Sequence, residues 1–227
     1  MTVQTTREFG SGPLHRFTQA VYSILGPTVC FLVVCLPFAL AVAVAPTAVT
    51  IAVAGILIGP AWTALLYAIR VHLADRDRGP VASFWRGYAL SWRQTLLVWV
   101  PYWVLLIAAG ADVVSPSASP ALRWAVGIVA ATSTIWFSAV LLIISRYAFR
   151  TRDVLRLAGY MLVAAPRSTA TNVALLVLAG ATIYLESEFV LGLLAGLFAL
   201  FAVIGAKSMF EVLDARFTTQ GRQDGAR

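Results

Sequence analysis

The sequence contains few residues that could carry out chemistry. Its two histidines, His15 and His72, are 57 residues apart, and its two cysteines, Cys30 and Cys35, are five positions apart. Residues five apart on a helix point to different sides, so the cysteines indicate neither a disulfide nor a metal site. The zinc motif His-Glu-x-x-His, the nucleophile motif Gly-x-Ser-x-Gly and the phosphate-binding glycine loop with its lysine are all missing. We therefore predict no catalytic residue, no metal site and no cofactor, in a protein that is not an enzyme.

The segments that carry these residues are apolar enough to be predicted as transmembrane helices. Hydrophobic residues make up 60% of the 227-residue chain, charged residues only 12%, and the mean hydropathy is +0.84. An uncharged stretch of 53 residues separates Arg16 from Arg70, more than twice the roughly 20 residues that cross a bilayer. We expect two spans there with a turn at Pro46, because proline removes a backbone donor. The first span is longer than the about 7 to 15 apolar residues of a signal peptide, so we expect it to be retained.

Four further uncharged stretches are each close to one spanning length, which predicts six transmembrane helices. The expected fold is an all-α polytopic membrane bundle with amphipathic cytoplasmic connecting helices. The expected spans are residues 24–44, 48–70, 95–113, 122–145, 169–185 and 188–210. They form a single membrane domain, 1–217, followed by a disordered cytoplasmic tail, 218–227. Glu186 and Glu188 mark an external turn, because one span through them would have about 38 residues and exceed the hydrocarbon thickness.

The basic residues predict the orientation. Of the 17 lysines and arginines, all but Arg123 fall in connections that the six spans place on one side. By the positive-inside rule that side is the cytoplasm, and both termini lie there. Arginine next to apolar spans serves topology and contact with anionic lipid. The partner predicted from the net charge of +7 is therefore the lipid bilayer, and no nucleic acid.

Aromatic residues recur at helical spacing beside arginines between residues 81 and 93. They are Phe84, Trp85, Tyr88 and Trp92, followed by Arg93. This pattern predicts an amphipathic helix at the inner membrane surface, with its rings at headgroup level. A similar pattern occupies residues 154–165, and a weaker one lies near the N-terminus. A unit of one amphipathic helix and two spans therefore occurs up to three times, either as a true repeat or as the ordinary result of basic cytoplasmic loops.

Two glycine pairs predict close helix packing. Gly55 and Gly59, and likewise Gly192 and Gly196, lie four positions apart, so each pair occupies one helix face. Such a face allows another backbone to approach closely where lipid offers no hydrophobic driving force. The sequence leaves open whether that backbone belongs to the same chain or to another, and the oligomeric state stays open with it.

Three segments carry a resemblance to a known family. Residues 59–67 are Gly-Pro-Ala-Trp-Thr-Ala-Leu-Leu-Tyr, and a short charged stretch then leads to Phe-Trp-Arg-Gly-Tyr at 84–88 and Trp-Arg at 92–93. A later landmark is Pro-Arg-Ser-Thr at 166–169, with Asn172. Together they resemble the YesL-like family of bacterial integral membrane proteins, a domain of unknown function. The resemblance covers most of the chain, although many relatives have lysine or asparagine where this chain has Arg93 and Thr95.

The resemblance implies a place in the bacterial inner membrane, and a link to carbohydrate uptake, because family members are often encoded beside sugar-uptake ABC systems. The family has no accepted catalytic residues, so the candidate positions are motif or packing residues. These candidates are Gly59, Pro60, Ala61, Tyr67, Trp85, Tyr88, Trp92, Arg93, Pro166, Arg167, Asn172, Gly192 and Gly196.

Two functions emerge as hypotheses. The first is a non-enzymatic accessory or scaffold protein whose cytoplasmic helices bind subunits of an ABC sugar transporter. The second is a small transporter or channel for a neutral solute or lipid, with a cavity among helices kinked at Pro37, Pro60 and Pro101. Its polar lining would be Tyr102, Ser133, Thr134 and Trp136. Ion-coupled transporters usually keep an ionisable residue near mid-membrane, and none is visible in these spans, which favours the first function.

Overall fold

The computed structural model describes residues 13–45, 47–75, 78–114, 119–147, 149–185 and 188–214 of the chain. The described residues form α-helices, one short 3-10 helix and their connections. The predicted turn at Pro46, the residue Glu186 and the predicted tail at 218–227 lie outside them.

Nine α-helices follow one another in this described part of the chain. They are α1 (Pro13–Val44), α2 (Ala48–Ala54), α3 (Ile58–Ala74), α4 (Pro80–Val114), α5 (Pro120–Arg146), α6 (Thr151–Ala164), α7 (Pro166–Leu185), α8 (Glu188–Gly205) and α9 (Lys207–Leu213). The 3-10 helix, Gly55–Leu57, joins α2 to α3. Proline takes the first position of α1, α4, α5 and α7, where its missing N–H costs no helical hydrogen bond.

The helices confirm the all-α class and a multi-pass membrane protein. Five segments are long and apolar enough to cross a bilayer. They are Val21–Val44, Ala48–Ala74, Pro80–Ala111, Pro120–Arg146 and Pro166–Leu185. They correspond to the first five predicted spans. The sixth predicted span is a pair of helices, α8 and α9, bent by 41°, and the count reaches six when this pair is taken as one crossing.

The aromatic segment at residues 81–93 differs from its prediction as a separate surface helix. It is the first part of α4, a single helix of 35 residues that continues into the third span. No proline lies between Pro80 and Pro101, so nothing in the chain stops the helical hydrogen bonding there. The weaker N-terminal pattern is likewise part of α1 from Pro13 onward.

The first part of α4 packs against α3. A side chain at Gly87 would meet Tyr67, and Thr95 lies 3.4 Å from Thr63 between hydroxyl oxygens. The segment is therefore held on the bundle by α3 and is continuous with the third span.

The second amphipathic segment is a separate helix, α6. It ends because Pro166 disfavours helical geometry at the preceding residue, and Ala165 has φ −126° and ψ 68°. Val154, Ala158 and Met161 form its buried face. Their spacing of four and three residues places them on one side of the helix, which packs against α5 and α7.

The second span is interrupted by the 3-10 helix Gly55–Leu57. Pro60 has no N–H, so the carbonyl of Ile56 loses its partner four residues ahead, and the chain tightens locally. Two tryptophans of α4 bond the carbonyls before the break. Trp99 Nε1 donates to the Gly55 oxygen at 3.0 Å, and Trp103 Nε1 donates to the Ile51 oxygen at 3.3 Å. Paired carbonyls matter here because lipid offers no substitute donor.

The core is centred on α3, which contacts α1, α4, α5 and α8. Ala61, Ala64, Leu65 and Ala68 are completely buried on it. Small side chains at three of these positions let the neighbouring helices approach. α7 is peripheral by comparison, since Ser168 and Asn172 are its buried residues.

Candidate functional site

The candidates at the end of the second span are packing residues in the structure. Gly59, Pro60 and Ala61 are buried in α3, and the indole ring of Trp99 occupies the space that a side chain at Gly59 would need. Tyr67, about two turns before the end of α3, is partly buried and lies against Gly87 of α4. This group therefore forms the contact between α3 and α4.

The candidates on the first part of α4 divide between two environments. Trp85 is 48% exposed and Trp92 is 41% exposed, whereas Tyr88 is partly buried. Arg93 is exposed, and its guanidinium lies 5.2 Å from the centre of the Trp92 ring. Phe84, which the sequence grouped with these aromatics, is completely buried. Phe84 and Tyr88 thus pack α4 against the bundle, and Trp85 and Trp92 lie at the surface.

The candidates on α7 and α8 lie elsewhere in the bundle. Pro166 and Arg167 are exposed at the start of α7, and Asn172 is buried. α7 packs on α5, α6, α8 and α9, and the glycines Gly192 and Gly196 face α1. The thirteen candidates therefore occupy three separate places and do not converge on one pocket in the described part of the chain.

The polar groups assigned to a transport cavity are engaged with one another or with backbone. The hydroxyls of Tyr102 and Thr134 are 2.7 Å apart, and Ser133 and Thr134 both donate to the Ala130 carbonyl, at 2.9 and 2.7 Å. Trp136 Nε1 donates to the Leu155 carbonyl at 3.3 Å and joins α5 to α6. The Tyr102 ring stacks on Phe137 at 4.1 Å between centroids. Each of these polar groups therefore has a partner within the bundle.

A cluster of charged and polar side chains forms where α3 and α5 end. We call it the arginine cluster: Arg70, Arg146, Tyr147 and Asp214. Arg70 Nη2 donates to the Ser145 carbonyl at 2.9 Å, across from α3 to α5. Arg146 Nη2 lies 2.7 Å from an Asp214 carboxylate oxygen, and this ion pair ties the end of α9 to α5.

Tyr147 completes the cluster. Its hydroxyl donates to the second carboxylate oxygen of Asp214 at 2.5 Å. Burial, together with the hydrogen bond to Asp214, raises the pKa of Tyr147 to about 12, so the hydroxyl stays protonated and continues to donate at neutral pH. Arg146 lies 4.6 Å from the Phe210 ring centre and 5.3 Å from that of Tyr147. The carboxylate is thus held by two donors, and the guanidinium by a carboxylate and two rings.

Three side-chain atoms in the described residues are buried without a hydrogen-bond partner: Arg70 Nε, His72 Nδ1 and Ser208 Oγ. Two of them lie near the end of α3, on the last turns before Ala74. Buried polar atoms are normally paired. Two of these three atoms therefore lie at the end of the bundle that carries the arginine cluster.

Arg70 ends the predicted span 48–70 and Arg146 directly follows the predicted span 122–145, but the sequence does not connect them with Tyr147 or Asp214. Arg146 and Tyr147 are adjacent in the chain, and an arginine–tyrosine step at a span end was an available signal. Asp214 gave none, because its contact depends on the bend between α8 and α9. No three His, Cys, Asp or Glu side chains among the described residues are grouped so that they could hold a metal ion.

No protein-family model matches the chain, and no curated protein or solved structure matches it either.

Proposed function

We propose that this chain is a non-enzymatic accessory or scaffold protein of the bacterial inner membrane that binds subunits of a carbohydrate ABC-type uptake system. The single observation that carries the proposal is a pair of helices, the first part of α4 and α6, each with one face packed on the bundle and the other face exposed. A helix face that is left uncovered beside arginine and aromatic residues is suited to binding a partner. The link to carbohydrate uptake comes from the family resemblance.

The exposed face of α4 has the composition of a binding surface. Trp85, Arg86 and Leu90 are exposed on consecutive turns, with Leu90 at 68%. Tryptophan and arginine are the residues that most often dominate the free energy of protein–protein binding. The buried neighbours, Phe84 and Gly87, hold the helix against the bundle, so the exposed residues need not move to meet a partner.

The exposed face of α6 extends the same kind of surface. Arg152 and Arg156 are exposed one turn apart, and Tyr160 follows one turn later at 45% exposure. By the positive-inside rule both helices face the cytoplasm, together with both termini. A partner with an acidic, partly apolar surface would complement this face, because opposite charges favour association and orient the complex.

The proposal is tested by purification in mild detergent after brief chemical crosslinking. Wild-type protein should bring down transporter subunits when the cells grow on the transported sugar. Replacing Trp85 and Arg86 by alanine together should reduce this recovery about tenfold, since a single interface hot spot contributes about 2 kcal/mol or more. The matched control replaces Arg123 and Trp124, an exposed pair of the same residue types at the start of α5.

Arg123 and Trp124 lie at the start of α5, on the side that the positive-inside rule places away from the cytoplasm. Their replacement should therefore leave the recovery of transporter subunits unchanged. Absence of every transporter subunit on every carbon source would reject the proposal, as would equal recovery with both double variants. Reconstituted vesicles provide the second measurement, because a scaffold gives no more flux of neutral solutes than protein-free vesicles do. Flux above that background would favour the transporter hypothesis.

A further inference from the structure

Arg70 is the least compensated charge of the arginine cluster. Its guanidinium has five N–H donors, and among the described residues one of them donates to the Ser145 carbonyl. The Nε atom is buried and has no partner, and the group lies 5.2 Å from the centre of the Tyr67 ring. A carbonyl and an aromatic face supply partial charges only. A buried cation normally has an anion beside it, because desolvation without one is costly.

The one carboxylate of the cluster is already engaged. Asp214 accepts from Arg146 with one oxygen and from Tyr147 with the other. Arg146 lies close enough to Arg70 to act on its charge, and it adds a second positive group to the same place. The carboxylate pairs with Arg146 and leaves Arg70 without an anionic partner among the described residues. The two arginines and the one carboxylate give the cluster a net positive charge of one unit.

The cluster is also open to a ligand. The side chains of Arg146 and Asp214 remain 31% and 45% exposed, and Arg70 is partly exposed as well. The cluster lies where two apolar spans, Ala48–Ala74 and Pro120–Arg146, end. In a bilayer this is the depth of the lipid headgroups, where anionic phosphate is abundant.

We propose that Arg70 and Arg146 form a binding site for a phosphate-class oxyanion, supplied by the headgroup of an anionic phospholipid or by free phosphate. Arginine suits this ligand because its planar fork of N–H groups matches two phosphate oxygens at once. The Nη–H groups of Arg70 that do not bond the Ser145 carbonyl are the donors that the ligand takes up, and Arg146 adds its charge. Asp214 competes with the ligand for Arg146. The site is independent of the partner surface formed by Trp85 and Arg86.

Thermal unfolding of the full chain in mild detergent, after removal of lipid, tests the site. Inorganic phosphate is titrated in one arm. Nanodiscs with phosphatidylglycerol are compared with nanodiscs of phosphatidylcholine in the other. Stabilisation by inorganic phosphate identifies free phosphate as a sufficient ligand, and stabilisation only by the anionic lipid identifies the headgroup. An unfolding temperature that responds to neither probe overturns the proposal.

Variants separate binding from folding. Arg70→Gln should raise the half-saturating concentration of the stabilising probe about tenfold, because a charge-assisted contact is lost. Arg70→Lys keeps the charge without the fork and should fall between wild type and Arg70→Gln. The matched control is Arg123→Gln, an exposed arginine at the opposite end of α5 from the cluster, which should bind as wild type does.

Asp214→Asn separates the two roles most sharply. Loss of a purely structural contact should weaken oxyanion binding, whereas loss of a competing carboxylate should strengthen it. Loss of the ion pair with Arg146 should lower the unfolding temperature without ligand. It should also tighten oxyanion binding about fivefold, since the competing carboxylate is gone and Arg146 is released. An Asp214→Asn protein that binds more weakly than wild type, or an Arg70→Gln protein that binds equally well, would show that the cluster only holds helices together.

Discussion

The two glycine pairs have the same spacing but different neighbours. Between α2 and α3, the rings of Trp103 and Trp99 occupy the space beside Gly55 and Gly59. In α8, Gly196 is instead approached by Ile24 and Thr28 of α1, and the Ile24 carbonyl oxygen would lie 3.2 Å from an added Cβ. The prediction that each pair admits another backbone therefore holds at Gly196 and is wrong at Gly55 and Gly59, where side chains fill the space.

The difference shows that two glycines on one helix face leave room for a neighbour. The residues of the opposite helix decide whether side chains or backbone occupy that room. Trp99 and Trp103 are themselves four residues apart and stack at 5.4 Å, so they fit the first pair as two matched ridges. Their indole N–H groups also bond the carbonyls of the interrupted second span. α1 offers smaller or flexible side chains at Ile24, Thr28 and Leu32, so its backbone can come close to α8.

Gly59→Ala should have the largest effect. The added Cβ would overlap three ring atoms of Trp99, and this ring cannot retreat because it is buried against Phe137 and Trp103. Overpacking of this kind costs about 3 kcal/mol, more than the roughly 1 kcal/mol that alanine gains over glycine in a helix. Thermal unfolding in mild detergent should therefore occur at a clearly lower temperature.

The control for Gly59→Ala is Gly127→Ala in α5. Gly127 has nothing within 4 Å of an added Cβ, so that variant should be as stable as wild type or slightly more stable. If the two variants unfold at the same temperature, the indole ring does not occupy the space beside Gly59.

Gly196→Ala should have the second largest effect, about 2 kcal/mol. Its Cβ would meet the Thr28 hydroxyl, which donates to the Ile24 carbonyl at 2.6 Å. Thr28→Ala removes that hydroxyl, so the double variant should recover part of the loss. A double-mutant cycle of unfolding free energies measures this coupling. Strictly additive effects would mean that α1 and α8 are not in contact at this level.

Trp99→Phe tests the hydrogen bond from the Trp99 indole to the carbonyl of Gly55 in the first glycine pair. Phenylalanine keeps an aromatic ring beside Gly59 but removes the indole donor to the Gly55 carbonyl, which still accepts the backbone N–H of Ile58. Loss of one buried hydrogen bond costs about 0.5 to 1.5 kcal/mol, so the effect should be smaller than that of Gly59→Ala. Trp124→Phe, at a position 77% exposed, is the control for the change of residue type and should be neutral. Equal stability of the two variants would contradict the role of the hydrogen bond.

The spans could be predicted from the sequence because one solvent argument decides them. Uncharged runs long enough to cross a bilayer must pair their backbone groups internally, and helices do so within one segment. Residues 48–70 and 122–145 accordingly fall inside the observed spans Ala48–Ala74 and Pro120–Arg146. The continuity of α4 was missed because arginine and tryptophan indicated a change of environment, which does not end a helix.

The arginine cluster could not be predicted, because its members come from three helices and depend on how those helices pack. Arg70 meets the carboxyl end of α5 through a backbone carbonyl, which any residue type at position 145 would supply. Asp214 reaches Arg146 only through the 41° bend between α8 and α9. No proline lies at that bend, and Gly205, which ends α8 there, is a single glycine in an apolar run that did not specify a bend.

Gly192→Ala should have the smallest effect and decides whether the second pair acts as a unit. Its Cβ would come 3.2 Å from a terminal methyl group of Leu32, the flexible end of a partly buried side chain that can shift by a few tenths of an ångström. Alanine also gains up to about 1 kcal/mol over glycine in a helix, so the unfolding temperature should equal or slightly exceed that of wild type. A loss as large as that of Gly196→Ala would mean that the α1 backbone approaches both glycines. Near-neutrality would confine the close approach to one turn, with Gly196 as the residue that sets the distance between α1 and α8.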